Sequence, residues 1–314
     1  MNLAHHHNAL DELDSLDGTL NNGRMQAIVP SGYGSIGFNM TDKVFPAGSC
    51  DTHFHVFENT QKYPLIEAPS YIPMLATLDQ YKKTFNHYGI DRGVLVQPSV
   101  YGKDHELLKH ILKAAAPGTM RGVAVIFEDT LDREIEELHE LGVRGARCNA
   151  LFSGGVSARN LEIISKKIKN FGWHMQLLID INVEPLLVDE VVKFGIPVVV
   201  DHFGHAPAPK IENGSGLARL LNAMRDGSAW VKFSGGYRIS KSGAAFDSDV
   251  RILADKFMKA NPDRIVWGSD WPHPGVGQKN FSAGDLFDSI NKLTQPELVK
   301  KILVDNPSNL YWKN

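Results

Sequence analysis

Two short segments carry the residue types that could do chemistry together. Cys50-Asp51-Thr52-His53-Phe54-His55-Val56-Phe57 sets two imidazoles two positions apart, and Ile265-Val266-Trp267-Gly268-Ser269-Asp270 runs an apolar stretch into a carboxylate, followed by Trp271-Pro272-His273-Pro274. Side chains of an extended strand alternate faces, so His53 and His55 are expected to point the same way, with Asp51 on that face as well. Val198-Val199-Val200-Asp201-His202 has the same form, an apolar run ending on polar groups. Two histidines at i and i+2, a further His and an Asp make a workable zinc set, because zinc favours imidazole nitrogen and carboxylate oxygen in fourfold geometry. Taken singly, each has a plainer explanation, since a His or Asp at a strand end often caps a helix or satisfies a loop amide. Their convergence gives them weight.

Something must bring residues about 220 positions apart to one place, and the elements supply it. Short apolar strands are expected at 49–57, 92–98, 121–127, 143–149, 173–180, 196–202, 229–234 and 264–270. Helical stretches with apolar residues recurring at three and four fall between them, at 79–89, 104–115, 131–141, 158–171, 184–194, 215–226 and 247–260. Eight such alternations predict an α/β protein, a (β/α)8 TIM barrel spanning 46–314, with residues 1–45 as an irregular N-terminal extension. No Gly-x-Gly-x-x-Gly follows the first strand, which disfavours a doubly wound open sheet. Barrel chemistry sits where strands end. Those positions offer His53 and His55; Gln97, Ser99 and Tyr101; Arg144, Arg147 and Asn149; Gln176 and Asp180; His202 and His205; Ser234, Tyr237 and Arg238; Asp270 and His273.

Composition narrows the partners. A net charge of −3 with acidic and basic residues interspersed gives no field that would gather nucleic acid or a membrane surface, so a small-molecule substrate is expected. No apolar run approaches the ~20 residues of a membrane span, and the start lacks a basic-then-apolar leader, which predicts a soluble, cytoplasmic chain. The two cysteines, Cys50 and Cys148, lie in apolar strands and are expected to stay reduced. His5-His6-His7 reads as solvated tail. A homo-oligomer remains open.

The segments Pro46 to Phe57, Gln97-Pro98-Ser99-Val100-Tyr101-Gly102, Gly142-Val143-Arg144-Gly145-Ala146-Arg147, Asp201-His202-Phe203-Gly204 and Trp267 to Pro274 resemble the amidohydrolase superfamily, in its 2-pyrone-4,6-dicarboxylate lactonase-like branch. His-x-His alone is weak; with the Gly-Ser-Asp-Trp-Pro-His block in order it is specific. The resemblance implies a hydrolase in which Asp270 activates water while His53, His55 and His202 surround a lactone carbonyl. Many members of the superfamily hold metal with such residues. Binuclear members need a bridging Lys or Glu at the end of the fourth strand and a His at the end of the fifth, where this chain has Arg147 or Asn149 and Leu178 or Asp180. The branch includes members that work without metal, so none is favoured here. The alternative is one Zn²⁺ or Mn²⁺ on His53, His55, His202 and Asp270.

Arginine forks match carboxylates bidentately, so Arg144, Arg147 and Arg238 point to an acidic substrate, with Ser99, Tyr101 and Tyr63 adding hydroxyls. The expected reaction is hydrolysis of a carboxylate-bearing lactone, a pyrone dicarboxylate or a sugar-acid lactone. Metal-dependent decarboxylation of an unsaturated or aromatic acid and lactone isomerisation of the galactarolactone type are the alternatives. Cys148 and Ser99 lack the flanking residues of nucleophiles, and Phe152-Ser153-Gly154-Gly155 is either a lid or a turn.

Overall fold

The computed structural model describes residues 45–151, 160–212, 214–276 and 281–313. The extension before Phe45, the 152–155 loop and the His5-His6-His7 run lie outside them. Eight parallel strands are laid down in chain order: β1 (Ser49–Phe54), β2 (Ile90–Val96), β3 (Met120–Ala124), β4 (Val143–Asn149), β5 (His174–Leu178), β6 (Val198–Val200), β7 (Ala229–Phe233) and β8 (Ile265–Trp267). Each expected strand is present, most of them shorter than expected. Most of the missing residues lie at the C-terminal ends of the strands, where the chain leaves the sheet to form the loops of that face.

The seven expected helices appear as α1 (Leu78–Phe85), α2 (Glu106–Ala114), α3 (Asp132–Glu140), α4 (Leu161–Lys169), α5 (Leu187–Lys193), α7 (Ser215–Arg225) and α9 (Ser248–Ala260). Short α6 (Ala208–Glu212) and α8 (Gly236–Ile239), together with α10 (Ala283–Leu293) and α11 (Pro296–Lys300), were not expected. Thr77 starts α1 with a capping box, accepting from Gln80 N while the Gln80 side chain accepts from Thr77 N. No described helix is long and apolar enough to cross a membrane. Cys50 and Cys148 are buried and form no disulfide among the described residues.

Closure joins β8 to β1. Thr52 Oγ1 donates to Trp267 O at 2.7 Å, Asp270 N to His53 O at 2.8 Å and His55 N to Trp271 O at 2.7 Å. Gly268 permits this approach: a Cβ there would stand 2.5 Å from the His53 Cβ. The barrel interior changes character along its axis. Cys50, Val94, Val96 and Val123 pack with Tyr311 from the C-terminal segment, and Val199, Trp230 and Val266 pack beside Leu310, which makes an apolar floor. Above it the inward positions turn polar, with Gln176, Lys232 and Asp201 fully buried.

Candidate active site

β1 is not a regular strand. Its register with β2 shifts between Asp51 and Phe54, and this irregularity breaks the alternation that would have put Asp51 beside the imidazoles. The Asp51 carboxylate instead accepts from Tyr81 OH on α1 at 3.1 Å, from Ser269 N at 2.9 Å and from Ser269 Oγ at 2.5 Å. It ties the ends of β1 and β8 to the helix layer, which corrects the expectation drawn from spacing. His53 and His55 do converge, with Nε2 atoms 3.3 Å apart.

The other members come from the turns after β6 and β8. Among the described residues, five other than glycine have positive φ, all in these two turns: His202 (51°), Phe203 (57°), His205 (54°), Asp270 (58°) and His273 (69°). Such backbone costs on the order of 1 kcal/mol or more per residue and persists only where the surroundings impose it. The imposed conformation brings Asp270 Oδ1 to 3.8 Å from Nε2 of His53, 3.8 Å from Nε2 of His55 and 3.9 Å from Nε2 of His202. All four side chains are buried.

The two oxygens of Asp270 live differently. Oδ2 accepts from Arg238 Nε at 2.6 Å and Tyr237 OH at 2.5 Å, whereas Oδ1 has no hydrogen-bond partner. Burial alone would raise this carboxyl, but Arg238, His202, His53 and His55 outweigh it and hold it well below the usual carboxylate range. Burial pushes the His53, His55 and His202 imidazoles down, the last two far down, so they stand neutral. His55 Nδ1 faces the Val96 carbonyl at 2.7 Å, which assigns its proton to that nitrogen and leaves the Nε2 lone pair inward. His202 Nδ1 pairs with Ser234 Oγ at 2.8 Å. Gly235 follows at φ 59°, where a Cβ would press to 2.9 Å on that ring.

Beneath the imidazoles, beside Gln176 and Asp201, lies a residue that the sequence did not single out. Lys232 Nζ, with no solvent contact, donates to Thr52 O at 3.0 Å and Gln176 Oε1 at 2.7 Å, and stands 3.3 Å from His53 Nδ1 and 3.5 Å from Asp201 Oδ1. Burial brings its ammonium down to about 8 against the pull of Asp201. Asp201, raised by burial, is held well below its usual range by Lys232 and His53. The available signal was a lysine amid Trp230, Val231 and Phe233, an apolar strand where a charge must face a partner.

Around the rim, Arg147 is buried at the inner end of β4, donates to Gln97 O at 3.1 Å, and influences His55. Asn149 Nδ2 donates to Ser99 Oγ at 2.7 Å, and Tyr101 OH accepts from Glu58 N at 3.4 Å. Tyr71, which sequence reasoning missed, belongs here: burial raises its phenol to about 12, and Arg147, Asp270, Arg238 and Tyr101 are the neighbours it feels. Two expected residues are not brought in. Arg144 sits at the start of β4, not its end, and donates to His139 O and Val143 O. Tyr63 lies by α2, its ring 6.2 Å from that of His110.

Of these donors, His53, His202 and Asp270 fit one divalent cation, with His55 beside them. Tetrahedral zinc at about 2.0–2.1 Å from its ligands sets neighbouring ligand atoms about 3.3 Å apart, against 3.3 Å and 3.8–3.9 Å here. The orphaned Oδ1 and the inward lone pair of His55 are what such an ion would satisfy. His53, His202 and Asp270 offer atoms all within 4.8 Å of one another. The expectation of no metal thus stands beside a ligand set suited to one.

The sequence model of the Amidohydrolase family matches residues 50–312. A 2-pyrone-4,6-dicarboxylate hydrolase of Comamonas testosteroni is 33% identical over 278 residues, covering 85% of this chain and 91% of that protein. A 4-sulfomuconolactone hydrolase of Hydrogenophaga intermedia is 31% identical, covering 85% and 90%. Among solved structures, a Pseudomonas putida protein described as a 2-pyrone-4,6-dicarboxylic acid hydrolase superposes with a TM-score of 0.74 at 30% identity, covering 85% of this chain and 98% of that one.

Proposed function

Because the chain belongs to the Amidohydrolase family, we propose that it opens a small carboxylate-bearing lactone by adding water to the ring ester carbonyl. The observation that carries this reading is the divided carboxylate of Asp270. Oδ2 is held by Arg238 and Tyr237, and Oδ1 is left free, 3.8–3.9 Å from three neutral imidazoles. A water in that gap is within reach of one fixed base and of the carbonyl it must attack.

Arg147 and Arg238, with Ser99, Tyr101 and Tyr71 beside them, hold the substrate carboxylate and orient the ring. Asp270 Oδ1 takes a proton from water, and the water oxygen bonds to the carbonyl carbon as the π pair moves to the carbonyl oxygen. An imidazole N–H stabilises that oxyanion. The carbonyl re-forms, the bond to the ring oxygen breaks, and the proton on Asp270 passes to the leaving oxygen. A divalent cation held by His53, His55, His202 and Asp270 would supply Lewis-acid polarisation of the carbonyl. The names of the relatives support a 2-pyrone-4,6-dicarboxylate or a muconolactone-type substrate.

The test is acid release from a panel of 2-pyrone-4,6-dicarboxylate, muconolactones and aldaric-acid lactones, with and without a chelator and with metal assayed on the same sample. Acid release from one of them supports the reading. Loss of carbon dioxide from an unsaturated acid, or ring transfer without acid release, would replace it with decarboxylation or isomerisation.

A further inference from the structure

His53 and His55 differ in what faces their inner nitrogen. Nδ1 of His55 meets one acceptor, Val96 O. Nδ1 of His53 meets two groups of opposite kind at the same distance, the acceptor Asp201 Oδ1 at 3.3 Å and the donor Lys232 Nζ at 3.3 Å. Lys232 has three N–H groups, and Thr52 O and Gln176 Oε1 take two. The third chooses between His53 Nδ1 and Asp201 Oδ1, which lies 3.5 Å away. Gln176 Nε2 donates to Asp201 Oδ2 at 2.9 Å, which holds the carboxylate in place for either choice.

Each choice fixes a tautomer. With the third N–H on His53 Nδ1, the imidazole proton must sit on Nε2, aimed at the bare Nε2 of His55 at 3.3 Å and towards Asp270 Oδ1. With it on Asp201, His53 Nδ1 donates to the same carboxylate and Nε2 presents a lone pair. In that second state lone pairs of His53, His55 and Asp270 face one another across 3.3–3.8 Å, an arrangement that a cation stabilises and that, without one, only the Asp201 carboxylate favours.

We propose that Lys232 is a positioning residue that holds His53 in the Nε2–H tautomer when no cation is bound, and that moving its third N–H to Asp201 releases Nε2 to ligate a divalent ion. One buried lysine therefore lets the same cluster present either an N–H donor to the carbonyl oxygen or a complete ligand set. The donor role rests on the lactonase reading above; the tautomer does not.

The experiment is ¹⁵N NMR of the full chain labelled at histidine, after chelation and again with Zn²⁺, His53 being assigned through His53→Gln. The expected result is His53 protonated at Nε2 and His55 at Nδ1 in the chelated protein, with His53 switching to Nδ1–H on adding Zn²⁺. In Lys232→Met, His53 should read as Nδ1–H throughout, and kcat of the chelated enzyme should fall about 100-fold with KM little changed. Chelated wild-type protein with His53 already protonated at Nδ1, or Lys232→Met with an unchanged His53 tautomer, would overturn the proposal. If Lys232→Met does not fold, the wild-type comparison decides alone. Lack of turnover on every lactone would count against the function while leaving the tautomer result standing.

Discussion

At the scale of single residues, the account turns on unequal treatment of similar groups. Tyr237 and Arg238 both donate to Asp270 Oδ2, so each fixes where Oδ1 points. Tyr237→Phe should lower kcat about tenfold with KM unchanged, because it loosens the base without touching the substrate. Arg238→Lys should change both constants, since a lysine cannot replace the planar fork; steady-state kinetics of the two variants separates the roles. The arginines also mark the limit of sequence reading. Arg144 and Arg147 lie three apart on one strand, and spacing does not say which end of the barrel each reaches. The structure gives Arg144 to the loop after α3 and Arg147 to the rim. His53, His55, His202, Asp270 and Arg238 were legible because each lies in or just beyond the polar end of an expected strand. Lys232 was not, because its run continues through Phe233 and the lysine reads as a strand residue.

At the scale of elements, two strained turns and one glycine set the geometry. The turns after β6 and β8 carry all five positive-φ residues other than glycine among those described, and His202 and Asp270 are two of them. No sequence pattern announces left-handed His or Asp, which is why the strands were drawn too long there. The β1 irregularity that turns Asp51 to Ser269 and Tyr81 was equally hidden, since strict alternation was the only guide. Gly268→Ala puts a methyl 2.5 Å from the His53 Cβ and 2.9 Å from its backbone nitrogen. The variant should lose about 1–3 kcal/mol of stability in urea denaturation and most of its turnover, because the contact it opens is the one that sets His53 against Asp270.

At the scale of the whole barrel, the buried polar interior has a pH signature. Burial depresses His53, His55 and His202, and brings His174 to about 3, so the native state leaves them unprotonated below the ordinary value of 6.5 while the unfolded chain takes up protons. Stability therefore falls as pH drops below 6.5. Asp51, raised by burial to about 6, takes up one proton in the native state across the same window and offsets part of the loss. Chelated protein should melt on the order of 10 °C lower at pH 5 than at pH 7, and bound Zn²⁺ should reduce the difference at pH values where it stays bound. Calorimetry at the two pH values checks this. The barrel itself was legible from eight apolar runs in alternation with amphipathic helices, because βα periodicity is a property of the whole chain and survives errors at every boundary. The most direct test of the central claim is turnover of the best lactone in H₂¹⁸O by the wild-type enzyme and by Asp270→Asn. The account predicts one ¹⁸O in the newly formed carboxylate and a fall of about 10³-fold in kcat for the variant. Wild-type product without ¹⁸O, or a variant that turns over at the wild-type rate, would contradict it.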